Sequence, residues 1–125
     1  MCRRRIVRYL IMQKHRMGIW AVAIFTAIVF VLVGLTKVTG PSALGWARRF
    51  RSWGYPSALL PVVGAVEIFG GAALLLPKLR RGASATLISV MAGAIVTHAV
   101  HAEYARVIPP LILAGFAFLV GFRRG

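Results

Sequence analysis

Glu67 is one of two acidic residues among 125, the other being Glu103, and it stands in the apolar run 57–76, about ten positions from either end. A carboxylate in such surroundings is costly unless it is paired, hydrogen-bonded or protonated. Two readings follow: a hydrogen-bonded packing group, or a group that binds a ligand or handles a proton. Gly64 and Gly71 fall on the same helical face at minus three and plus four. Small residues there let a second backbone approach, which suits an interhelical contact centred on the carboxyl. Lys37, closing Gly34-Leu35-Thr36-Lys37, is the natural counter-charge. Its stem can bend inward to the carboxylate or snorkel to the headgroups. By helical rise Glu67 lies roughly 15 Å below the surface, so a direct pair requires tilt or a Lys37 deeper than hydropathy suggests.

His98 and His101 lie near the end of another apolar run, where imidazole can titrate or bind a headgroup. Their spacing of three leaves Glu103 as the nearby third ligand, too little for a metal site, and no nucleotide motif is present. Cys2 is the single cysteine, so the chain cannot form an intramolecular disulfide or a Cys-x-x-Cys pair. With no aspartate and no activated nucleophile, little supports general acid–base or covalent catalysis, and no catalytic residue is assigned.

The elements that position these groups belong in a membrane. Hydrophobic residues make up 59% of the chain and the mean hydropathy is +0.80, more apolar surface than one small soluble core buries. The fold expected is all-α: an integral membrane antiparallel four-helix bundle with helices near 18–38, 57–76, 83–100 and 107–122. The first run, of about 20 residues, spans about 30 Å as a helix. Residues 1–17 form a basic amino-terminal segment and 123–125 a basic tail. The fourth span opens on Pro109 and Pro110, tolerable in a first turn, with a tilted or re-entrant segment as the alternative.

The net charge of +14 comes in clusters between apolar runs, without the basic stripe and stacking aromatics of a nucleic-acid binder. Of the 16 Lys and Arg, 11 fall on one side of a four-span layout: six before residue 17, Lys78, Arg80 and Arg81, then Arg123 and Arg124. The other side holds Lys37, Arg48, Arg49, Arg51 and Arg106. Both termini are therefore expected in the cytoplasm and the protein in the plasma membrane. In the outer segment 39–56, Pro41 and Ser42 resemble a helix start, and Leu44, Trp46, Ala47, Phe50 and Trp53 recur near helical spacing. Either a short interfacial helix or an ordinary loop fits, with Trp46 and Trp53 as anchors in the headgroup layer and Arg48 and Arg49 reaching phosphates. In the third span Ser89, Gly93, Thr97 and His101 form a stripe spaced by four, expected to face the second.

Gly34-Leu35-Thr36-Lys37, Phe50 with Trp53-Gly54-Tyr55-Pro56, Glu67-Ile68-Phe69-Gly70-Gly71 with Leu74 to Leu76, Lys78-Leu79-Arg80-Arg81, and Met91, Ala94 and His98 follow one another in a specific order. In these, over about residues 18–101, the chain resembles the DoxX family of small four-helix membrane proteins. The resemblance implies a bundle in which Lys37, Glu67 and His98 match the recurring polar positions. The family is named for its likeness to a membrane subunit of thiosulfate:quinone oxidoreductase. That implies a non-catalytic subunit or scaffold of a membrane redox complex, a soluble or membrane redox partner, and a quinone-like or lipid-like molecule in the polar cluster. The alternative is a small proton-coupled transporter using Glu67.

Overall fold

In the computed structural model, residues 2–123 are described; Met1, Arg124 and Gly125, the last two from the expected basic tail, lie outside them. The regular structure among the described residues is helical: α1 (Cys2–Val38), α2 (Gly40–Ser52), α3 (Leu59–Ala73), α4 (Arg80–Val100) and α5 (Ile108–Phe122), with a 3-10 turn Tyr104–Val107 leading into α5. Three helical stretches are long and apolar enough to cross a membrane: Cys2–Val38, Arg80–Val100 and Tyr104–Phe122. Helix α3 is equally apolar but has 15 residues.

Helix α1 begins at Cys2 rather than near residue 18, so the basic segment is its first half, exposed on all sides. Arg, Leu, Met, Gln and Lys are good helix formers, and no proline interrupts them. The helix ends where Gly40 takes φ +71 and Pro41 follows in the first turn of α2. Helix α2 thus fills the outer segment, and it closes on Gly54 at φ +82. Gly54 N–H donates to the Arg51 carbonyl and Tyr55 N–H to that of Phe50, both at 3.0 Å. This Schellman closure folds Tyr55 back toward the helices.

Helices α1 and α3 run antiparallel in close contact: Gly34 meets Gly64 and Ile68, and Gly71 meets Ala27, Phe30 and Val31. Helix α4 packs against α5, where the Ser84 hydroxyl donates to the Ala117 carbonyl and Leu87, Met91, Ala117 and Val120 share the core with Phe30 and Leu74. Helices α3 and α4 approach at Gly70 and Leu87. The stripe expected to make that contact does not: Ser89, Gly93 and His101 are exposed, and the Ser89 hydroxyl donates to its own helix at Ala85. The physical reason is that Gly93 and Thr97 line a cavity shared with Leu59, Val63 and Glu67 of α3, instead of packing directly on that helix.

A Cβ on Gly34 would lie 2.7 Å from the Gly64 carbonyl oxygen. Gly34→Ala is expected to destabilise by about 1–3 kcal/mol. Gly115→Ala, whose Cβ meets nothing within 4 Å, is expected to be neutral or stabilising by up to about 1 kcal/mol. Thermal unfolding in detergent of the two variants against wild type checks both; equal melting temperatures would contradict the close α1–α3 contact.

Candidate functional site

The α1–α3 contact sets the depth of Lys37. Lys37 lies level with Gly64, five residues inside the start of α3. Glu67 is therefore only three residues, about 4.5 Å of helical rise, away. The depth mismatch inferred from hydropathy arose from placing both helix ends at one surface. In the structure Lys37 Nζ donates to both Glu67 carboxylate oxygens at 2.8 Å. The two residues are 6% and 1% exposed, so the pair is buried. Charge-assisted hydrogen bonds of this length satisfy both oxygens, and the Trp46 ring, 4.5 Å from Nζ, adds a cation–π contact on the ammonium.

The Glu67 side of the pair opens into a cavity of about 250 Å³ between the diverging halves of α3 and α4. Leu59 and Val63 continue the α3 wall above Glu67; Val90, Gly93, Ala94, Thr97 and His98 form the α4 wall. The small side chains at 93 and 94 are what make the room. Trp46, Phe50, Trp53 and Tyr55 close it from above. Phe50 is the hub of this cap, with ring centroids 5.5 Å from Trp53, 5.8 Å from Tyr55 and 6.3 Å from Trp46. A hydrogen bond of 2.5 Å between the Tyr55 and Thr97 hydroxyls ties the cap to α4.

His98, buried in the α4 wall, meets Trp53 edge-on at 5.4 Å. Its Nδ1 lies 3.2 Å from Glu103 Oε1, and Arg106 donates to Glu103 Oε2 at 3.1 Å. The carboxylate accepts, so Nδ1 carries the proton and Nε2 is left for another partner. Glu103 reaches His98 because α4 ends in a second Schellman turn: Ala102, at φ 58, donates to Ala99, and Glu103 N–H returns to the His98 carbonyl at 2.8 Å. Loss of water around the Glu103 carboxylate raises its pKa. The His98 hydrogen bond, the charges of Arg106 and His98 and a hydrogen bond from Trp53 together outweigh this and hold it below the ordinary carboxylate value.

The structure thus brings Glu67 and His98 to one cavity with Lys37 behind Glu67. Trp46 and Trp53 stand half-buried in the cap, Trp46 against the Lys37 ammonium and Trp53 against the His98 imidazole. Arg48 and Arg49 remain exposed, Arg49 lying 5.1 Å over the other partner of Lys37, the Trp46 ring. Tyr55, Thr97 and Glu103 are site residues that sequence reasoning missed. The aromatic density from Phe50 to Tyr55 was the available signal for the first, and nothing in the sequence marked the turn that delivers Glu103. Among the described residues no three His, Cys, Asp or Glu side chains converge on one point.

The family model described as the DoxX-like family matches residues 21–120. The chain belongs to that family and is a membrane protein; the match takes in α5, beyond the stretch where the sequence motifs lie. No curated protein and no solved structure matches it.

Removing either partner of the buried pair strands the other charge. Glu67→Gln and Lys37→Met are each expected to destabilise by about 3–5 kcal/mol, and Lys37→Met with Glu67→Leu to recover much of the loss. A double-mutant cycle in detergent measures the coupling; additive losses would deny the pair. For Glu103, a pKa lowered by folding adds stability above the ordinary carboxylate range, and that stability is lost as pH falls through the lowered value. Melting temperature against pH should fall in that acid window for wild type and lose that part of its slope in Glu103→Gln.

Proposed function

We propose that this DoxX-like protein is a four-span plasma-membrane protein with cytoplasmic termini that serves as a non-catalytic subunit or scaffold, and that the cavity beside Glu67 holds a ring-bearing quinone-like or lipid-like molecule. The observation that carries the reading is the pairing of a buried charge at the floor of the cavity with four aromatic side chains above it. A cavity of about 150 Å³ accepts a benzene ring, so about 250 Å³ suits a substituted ring whose tail leaves past exposed Gly93 into the bilayer. The ring would rest on the indoles, and its polar substituents would meet Glu67 and the free nitrogen of His98. Redox chemistry in this reading belongs to a partner, since Cys2 lies at the far end of α1.

Support for a fourth span comes from the turns flanking α3. Leu59 N–H bonds to Pro56, and Leu75 and Leu76 bond to Ala72 and Ala73. These carry hydrogen-bonded backbone across an apolar stretch of about 20 residues, long enough for the hydrocarbon layer. Residues 18–122 then form the membrane domain. The excess of Lys and Arg on the amino-terminal side supports the orientation. Proton-coupled transport by Glu67 is less well supported, because both its oxygens are already held by Lys37.

Gly93 has open space at its Cβ position, so Gly93→Leu fills the cavity without displacing backbone. Wild type purified in mild detergent is expected to carry a ring-containing apolar molecule detectable by mass spectrometry, and Gly93→Leu to lose it at unchanged melting temperature. The same cargo in both proteins would overturn the assignment of the cavity.

A further inference from the structure

On the other side of Trp46, Ala94 and His98 lies a second cavity of about 370 Å³. Its floor is apolar: Val33 of α1, Met91 of α4, Leu113 and the first-turn prolines of α5. Prolines carry no N–H, so the start of α5 presents carbon here where other helix starts present donors. The rim is different in kind, because Arg49 of α2 and Arg106 both stand on it. Arg106 gives one N–H to Glu103, whose other oxygen is already taken by His98. Arg49 stacks on Trp46. The chain has two acidic residues in all, and Glu67 is committed to Lys37. Among the described residues Arg49 therefore has no carboxylate partner and Arg106 shares Glu103 with His98, leaving surplus positive charge at the mouth of an apolar slot.

We infer that this second cavity binds an anionic phospholipid, its phosphate held between Arg49 and Arg106 and one acyl chain lying in the slot beside Met91 and Leu113. Guanidinium forks match phosphate oxygens, and two of them flanking one mouth suit a group with several acceptors better than a single carboxylate. The site shares only a wall with the cavity over Glu67 and does not depend on what that cavity holds.

The test uses the full chain reconstituted in vesicles of equal parts phosphatidylcholine and phosphatidylglycerol, with oleate added, then extracted in mild detergent for native mass spectrometry. Wild type is expected to retain phosphatidylglycerol in preference to phosphatidylcholine. Arg49→Gln with Arg106→Gln is expected to lower that preference about tenfold, and Leu113→Trp, which fills the slot and keeps every charge, to lower it as well. Arg51→Gln with Lys78→Gln removes two charges that do not line the slot and should leave it unchanged. The inference is overturned if the Arg49 and Arg106 variant keeps the wild-type preference, if the Arg51 and Lys78 variant loses it equally, or if oleate is retained in place of phosphatidylglycerol.

Discussion

A charge with no water around it must have its counter-charge close by, and the arrangement of α1 against α3 answers to that constraint. Lysine reaches Glu67 only because the backbones of the two helices nearly touch, and they touch because Gly34, Gly64 and Gly71 have no side chains in the way. The glycines and the ion pair are thus one device. Dispersion contacts at the close approach hold the helices, and the pair fixes their relative height, since a shift of one turn would carry Nζ about 5.4 Å from its acceptors.

The rest of the site is hung from helix ends. Gly54 and Ala102 both take left-handed backbone, and both deliver the next residue onto neighbouring positions of α4: Tyr55 onto Thr97, Glu103 beside His98. Glycine takes that conformation freely. Alanine does so at a cost of about 1–2 kcal/mol, which the hydrogen bonds of the turn and the Glu103 contacts with His98 and Arg106 offset. Cap and wall are therefore joined by hydrogen bonds at this end, while below them α3 and α4 meet at Gly70 and Leu87, with the cavity lying between.

The helical, membrane-embedded character was legible because long apolar runs bounded by proline, glycine and basic clusters admit little else. Glu67 declared itself by the cost of its position, and Lys37 as the cation that closes the first apolar run. What hydropathy could not give was relative depth, because the run 57–76 counts turn residues such as Ser57 and Leu76 as if they were helix. The orientation of Trp46 and Trp53 was also hidden, since indole suits a headgroup layer and a buried cation equally well. The stripe from Ser89 to His101 misled for a similar reason: small residues permit close packing, but they equally permit a cavity.

The Lys37–Glu67 contact links residues 30 positions apart in the chain, and on a four-span layout this bears on biogenesis. As the chain is synthesised, α1 leaves the ribosome first and enters the bilayer with its ammonium at one end, able to snorkel to water. Helix α3 follows with a carboxylate near its middle, which by itself would disfavour insertion. Docking against α1 removes that penalty. The last turn of α1 thus supplies the counter-charge without which α3 would carry a bare carboxylate among apolar residues.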